Sequence, residues 1–287
     1  MLAYFNGVYL PVEEISISPD DRGFLFADGL YDVIRVYNGH LYRAGDHLAR
    51  LSYGASQLRL AQNDFSFLGD VARRLLAENG LAGAAATVYL QVTRGRAPRR
   101  HAFPQPPPPL TIYAVARPFD ESPSRRKRER GIAAITLSDN RWARCDIKTT
   151  ALIANVMASQ QAADHGADEA IFVRDGALLE GSHTNVMAVV DGELRTAPLS
   201  NYILPGITRQ AVMELCRELA LPVREMPAFQ NEIVKFSELM VLSTTLEVTP
   251  VISLDGKPVA DGRPGAVTRR LSHALRQTIE RLCAEAS

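Results

Sequence analysis

Lys148 lies in Arg141-Trp142-Ala143-Arg144-Cys145-Asp146-Ile147-Lys148-Thr149-Thr150, directly before an amphipathic stretch. Alone it reads as a solvated lysine near a helix start, as most lysines are. Buried, the same amine would have a lowered pKa and could form a Schiff base with a carbonyl. Gly206-Ile207-Thr208-Arg209 opens a predicted helix. Its free amides suit a phosphate, helped by the macrodipole, although an ordinary glycine turn with a threonine cap has the same sequence. Ser243-Thr244-Thr245 ends a predicted strand, as turn residues or as further phosphate donors. Arg50, mid-helix, is a surface charge or a phosphate ligand. Together these offer several phosphate contacts in a sequence without a Walker-type loop. Glu180 stands between apolar strands and, if buried, needs a partner, because an unpaired buried charge is costly; on a surface hairpin it needs none. His183 has no second ligand spaced with it, so a structural role is expected and no metal site.

Turn and periodicity signals place the elements that carry these residues. Asn6-Gly7, Asn38-Gly39, Asp175-Gly176, Asp191-Gly192 and Asp255-Gly256 are hairpin turns between short strands. A helix opening near Asp46 carries Leu48, Leu51, Ala55 and Leu58, and another runs from about 64 to 79 with Val71, Leu75 and Leu76 inside. Further helices carry Leu152, Ile153, Val156 and Ala163; Ile207, Ala211, Leu215 and Leu219; and Val267, Leu271, Leu275 and Leu282. Between strands at 88–92 and 110–116 runs a long cationic loop, Arg94-Gly95-Arg96-Ala97-Pro98-Arg99-Arg100-His101-Ala102-Phe103, followed by prolines. Loops of that length without structure of their own are usually functional. Strands joined by hairpins with helices interspersed predict an α+β protein with mainly antiparallel sheets. The charged stretch 119–130 is predicted to link a lobe at 1–118 to one at 131–287.

Composition limits the function. The chain has 287 residues, 46% of them hydrophobic, and 32 Lys plus Arg balance 32 Asp plus Glu. No net field would gather nucleic acid or an anionic membrane, and no apolar run is long enough to span one. The first residues lack the pattern of a signal peptide. Cys145, Cys216 and Cys283 are few and far apart, so neither a disulfide framework nor zinc is expected and a reducing cytoplasm is the predicted compartment.

Taken in order, these segments resemble the fold type IV pyridoxal-phosphate enzymes, and most nearly the bacterial D-amino-acid aminotransferase branch. The blocks are Phe26-Ala27-Asp28-Gly29-Leu30-Tyr31, Val36-Tyr37-Asn38-Gly39, His47-Leu48-Ala49-Arg50-Leu51, Gln91-Val92-Thr93-Arg94-Gly95, Pro98-Arg99-Arg100-His101, Arg141-Trp142, Asp146-Ile147-Lys148, Glu180-Gly181-Ser182 to Asn185-Val186, Gly206-Ile207-Thr208-Arg209 and residues 243–250. The resemblance implies a two-lobed fold with a smaller N-terminal lobe and a larger C-terminal lobe of antiparallel-rich sheet forming a pseudo-barrel. It implies that Lys148 holds pyridoxal 5′-phosphate as a Schiff base and shuttles the Cα proton, and that Glu180 faces the pyridine nitrogen. Arg50, Gly206, Ile207, Thr208, Thr244 and Thr245 would hold the phosphate. Tyr31, Arg99 and His101 would grip the substrate carboxylate, with the loop of Arg99 and His101 supplied by the neighbouring subunit of a homodimer. D-Amino acids of the alanine or glutamate type and 2-oxo acids would then exchange amino groups in ping-pong order. Arg96 and Arg100 either face solvent or favour dicarboxylic partners.

Two rival classes follow from the same residues. Other reactions on this fold (L-branched-chain or amine transamination, aminodeoxychorismate cleavage) would keep Lys148 and Glu180 but need no Arg99 with His101. A non-catalytic cofactor-binding protein would need no proton shuttle at 148.

Overall fold

The computed structural model describes residues 1–285, which form two compact units. The first comprises Met1–Asp120 with Ile147–Leu152; the second comprises Glu121–Asp146 and Ile153–Glu285.

The first unit contains β1 (Leu2–Phe5), β2 (Val8–Pro11), α1 (Arg22–Phe26), β3 (Gly29–Tyr37), β4 (His40–Leu41), α2 (Ala44–Gln57), α3 (Leu68–Glu78), β5 (Ala86–Thr93) and β6 (Thr111–Pro118). The strands make one antiparallel sheet in the order β2-β1-β6-β5-β3-β4. Asn6-Gly7 and Asn38-Gly39 turn as the sequence predicts, each pair at positive φ, the requirement of a type I′ hairpin. At Gly39 any Cβ would lie 1.7 Å from the Ala82 carbonyl oxygen, so only glycine closes this hairpin. Period-2 alternation turns Leu30, Ile34 and Val36 of β3 and Val88 and Leu90 of β5 toward the apolar stripes of α2 and α3, including Leu48, Leu51, Leu75 and Leu76. The first of these helices begins at Ala44, ahead of Asp46, and the second at Leu68, after a turn at 66–67.

The second unit contains α4 (Ser122–Arg130), β7 (Ile132–Ser138), α5 (Ile153–Asp164), β8 (Glu169–Arg174), β9 (Ala177–Gly181), β10 (Asn185–Val190), β11 (Glu193–Thr196), α6 (Ile207–Glu218), β12 (Val223–Glu225), β13 (Phe236–Ser243), β14 (Glu247–Leu254), β15 (Lys257–Pro258) and α7 (Ala266–Glu285). The sheet runs β12-β11-β10-β13-β14-β7-β8-β9, and a Glu180–Asn185 pairing between β9 and β10 closes six strands into a barrel. Parallel pairs occur at β7 with β8 and with β14 and at β11 with β12; the rest are antiparallel. Ile132, Ile171, Leu178, Val186 and Val241 fill its core. The protein is thus an α+β fold of two lobes, the larger with a barrel-like sheet.

Three local expectations differ from what is observed. Residues 122–130, expected within a linker, are helical, because Arg128 is buried and its guanidinium binds Glu121 at 2.7 Å, which gives a charged helix an inner face. On α5 the buried face is Ala158 and Ala162 against Ala170 and Phe172, where small side chains admit close approach, and Ile153, Val156 and Met157 are exposed. Residues 147–152, expected with the C-terminal lobe, belong to the first unit, where they pair with β3.

Candidate active site

Backbone pairing, not a side chain, delivers Lys148 to its position. The Lys148 carbonyl accepts from Tyr31 N–H at 3.1 Å, Leu30 bridges to Thr149, and Thr150 N–H donates to the Gly29 carbonyl at 3.0 Å. Ile147 is buried beside Leu30 and Gly54, whose missing side chain leaves room for the Leu30 methyls. The Lys148 Nζ then lies 3.3 Å from the Tyr31 hydroxyl and 4.4 Å from its ring centroid. Tyr31 stacks on Tyr89, whose hydroxyl is pushed up to about 12 by burial and by its tyrosine neighbours. Two of the predicted residues are therefore brought together, an amine and a phenol within proton-transfer reach.

Arg50 is not a surface charge. It is buried on α2, and its guanidinium grips Asp32 through Nε at 2.9 Å and Nη2 at 2.8 Å, while His47 Nδ1 meets the same carboxylate at 2.8 Å. Burial alone would raise the Asp32 carboxyl, but the Arg50 charge, then His47, hold it well below the usual carboxylate range. A depressed folded-state value stabilises the fold above the ordinary carboxylate pKa, and this contribution is lost as pH falls below it. Asp32→Asn should cost the first unit about 3–5 kcal/mol by removing the buried carboxylate that Arg50 and His47 grip. Urea melts from pH 7 down to pH 3 would show it: the wild type loses stability toward acid, and the variant starts lower with a flatter profile.

Arg99 and His101 sit on an exposed loop but share one surface. The Arg99 guanidinium lies 5.1 Å and the His101 ring 5.5 Å from the centre of the Phe26 ring. Among the described residues, no hydrogen bond, ion pair or ring contact joins either of them to Tyr31 or Lys148.

In the second unit, Glu180 stands where the barrel closes. Arg141 Nη1 pairs with its Oε1, and Oε2 accepts from Leu204 N–H at 2.8 Å and Asn185 Nδ2 at 3.2 Å. Arg141 is buried; although burial opposes its charge, the Asp139 hydrogen bond and the Glu180 charge hold its pKa above the ordinary value. Glu180 therefore has the partner that its apolar surroundings demanded. Gly206 caps α6 with no side-chain bond to the first-turn amides, and a Cβ there would lie 1.8 Å from Asn185 Oδ1. Ile207 and Thr208 follow in the first turn, and Thr244 and Thr245 occupy the turn between β13 and β14.

These donor sets fit the expected cofactor part by part. The open amides of α6 with two threonine hydroxyls suit a phosphate dianion, Glu180 suits a protonated ring nitrogen, and the Lys148 amine suits an aldehyde. Asp32, His47, Asp139 and Arg141 had been given no role from the sequence. For Asp32 the signal was available: it interrupts the inward row Leu30, Ile34, Val36 with a carboxylate, while His47 and Arg50 share a helix face at i and i+3.

Comparison with known proteins gives concordant matches. The model of the amino-transferase class IV family covers residues 29–254. A D-alanine aminotransferase of Staphylococcus haemolyticus is 40% identical over 286 residues, 96% of this chain and 97% of that protein. One from Bacillus licheniformis is 38% identical, over 97% of each chain. Among solved structures, the branched-chain amino acid aminotransferase of Escherichia coli superposes with a TM-score of 0.89 at 26% identity, over 96% of this chain and 93% of that one. A pyridoxal-phosphate-bound hypothetical aminotransferase from Mycobacterium tuberculosis shares the fold, with a TM-score of 0.82 at 23% identity over 95% and 96%.

Proposed function

Since the chain belongs to the class IV aminotransferase family, whose members use pyridoxal 5′-phosphate, we propose that it moves amino groups between D-amino acids of the alanine or glutamate type and 2-oxo acids. The observation that supports the D-specific reading is that Arg99 and His101 both lie against the Phe26 ring, as two prongs of a carboxylate grip would. The D-alanine aminotransferase relatives support it.

When bound, the cofactor supplies an electron sink for the pair released as the substrate Cα–H bond breaks. Lys148 would hold the cofactor's aldehyde, and its Nζ, free once the substrate is bound, would take up and return the substrate Cα proton. Tyr31, hydrogen-bonded to that amine, orients it. Glu180, paired with Arg141, would face the ring nitrogen and favour its protonated form. Gly206, Ile207, Thr208, Thr244 and Thr245 would bind the phosphate, and Arg50, held by Asp32 and His47, would add its charge. Arg99, His101 and Tyr31 fix the carboxylate, so the carboxylate grip decides which Cα hydrogen faces Lys148. Arg96 and Arg100, both exposed, extend the positive field toward dicarboxylic partners.

The loop of Arg99 and His101 would serve the neighbouring subunit of a homodimer, as the family resemblance implies. The exposed Ile153, Val156 and Met157 of α5 offer apolar surface for such an interface. The buried thiols of Cys145 and Cys216, outside any disulfide, suit a reducing cytoplasm. Among the described residues, no helix is long and apolar enough to cross a membrane.

A panel of D- and L-amino acids with 2-oxoglutarate or pyruvate as acceptor tests the reading. D-Alanine and D-glutamate should be converted and their L-enantiomers left. Conversion of L-leucine or L-valine instead would assign the branched-chain activity named for the Escherichia coli structure.

A further inference from the structure

We propose that Asp28, Arg22 and Phe26 position the loop of Arg99 and His101 and thereby set how tightly the enzyme holds a substrate carboxylate. This rests on the carboxylate-grip reading above and assigns a task to the block Phe26-Ala27-Asp28, which that reading left without one.

Residues 98–103 are all exposed, so the loop gains little order from the apolar core. What holds it is polar and buried. Asp28 Oδ2 accepts from Arg22 Nε at 2.8 Å and from Arg94 Nε at 2.7 Å, and Oδ1 accepts from Arg94 Nη2 at 3.1 Å. Both guanidinium groups are almost fully buried, with one carboxylate between them. Their remaining donors diverge. Arg94 donates to the Leu58 and Arg59 carbonyls at 2.7 and 3.1 Å, which ties it to the C-terminal end of α2. Arg22 donates from Nη1 to the Arg100 carbonyl at 2.6 Å and from Nη2 to that of His101 at 3.4 Å. Asp28 thus couples the loop backbone to the helical scaffold through two charge-assisted bonds in series.

The side chains are seated separately. Phe26 ends α1, and the left-handed turn at Ala27 carries the chain from its ring to Asp28. The Arg22 guanidinium lies 4.8 Å from the Phe26 centroid, and Arg99 and His101 lie against the same ring. Further along, Phe103 is held 3.7 Å from the Arg94 guanidinium. The backbone clamp and the aromatic seat therefore bracket residues 99–101, and neither touches Lys148. Loosening them should weaken the hold on the carboxylate while leaving proton transfer intact.

The test compares the pyridoxal-phosphate-loaded wild type with Phe26→Leu, Asp28→Asn and Arg99→Ala. It measures KM and kcat for D-alanine and, with no turnover, the dissociation constant of propionate from the cofactor absorbance. In Phe26→Leu and Asp28→Asn both KM and the propionate constant should rise about tenfold, or about 1.4 kcal/mol, with kcat within about twofold. Asp28→Asn removes the carboxylate that lies between two buried arginines; if it does not fold, Phe26→Leu, which leaves those ion pairs in place, decides alone. Unchanged constants in Phe26→Leu and Asp28→Asn, with a raised KM in Arg99→Ala, overturn this inference and spare the carboxylate grip. An unchanged KM in Arg99→Ala overturns the grip, and the inference with it.

Discussion

Lys148→Ala should abolish transamination while the protein stays folded. The expected loss of turnover is at least about 10³-fold, because a positioned acid–base group contributes about 10² to 10⁴ on its own. The fold should survive because the contacts that place this residue are made by its backbone: the Lys148 carbonyl holds Tyr31 N–H and the neighbouring Thr149 bridges to Leu30. The side-chain contacts that go are those to Tyr31, its hydroxyl at 3.3 Å and its ring. A thermal melt near that of the wild type, with D-alanine conversion gone, is the expected pair of results. Borohydride reduction followed by peptide mapping gives a second reading independent of rate. In the wild type the cofactor mass should stay on the peptide carrying position 148, and in Lys148→Ala no peptide should retain it. Retained turnover in the variant, or cofactor fixed at another lysine, would remove Lys148 from the chemistry.

What could be read beforehand depended on whether a residue's environment is local in the sequence. Hairpin turns were legible because asparagine or aspartate before glycine announces two successive positive φ values within a single dipeptide. Helices α2 and α3 were legible because their buried stripes recur at the helical period. The faces of α5 were not, since the alanines that fit against Phe172 carry a weaker apolar signal than Ile153 and Val156, and only the packed neighbour reveals which side is inside. Helix α4 was missed for a related reason: its inner face is an arginine whose partners, Glu121 and Glu247, are far apart in the chain. Among the candidate site residues, Lys148 and Glu180 stand out in the sequence by type and neighbours, and their polar partners do not. Arg141 acquires its meaning only when the barrel brings it to Glu180, 39 residues on, and Asp28 only when Arg22 and Arg94 converge on it. Long-range pairing of charges leaves no periodic trace. The exception is Asp32, whose position in an inward apolar row shows in one strand alone.

Arg99→Ala should have the largest effect on the D-amino-acid reaction of any change outside Lys148. Arg99 is exposed in its own chain, and its contact there is a cation–π contact with Phe26 worth about 0.5–1 kcal/mol, so stability should barely move. Catalysis should respond very differently, because a guanidinium that forks onto a desolvated carboxylate is worth about 2–5 kcal/mol, which lowers kcat/KM for D-alanine by about 30-fold to several thousandfold. Arg99→Lys keeps the charge but not the planar fork and should fall between. Discrimination against L-alanine should narrow as well, since the hold on the carboxylate is what selects the hydrogen facing Lys148. Mixing two inactive proteins extends the argument to the assembly. If each loop serves the partner subunit, a dimer of one Lys148→Ala chain and one Arg99→Ala chain carries one site with both residues intact. Random reassociation should then restore about a quarter of wild-type activity, because half the dimers are hybrids with one of two sites competent. If the loop instead serves its own chain, no mixture recovers activity.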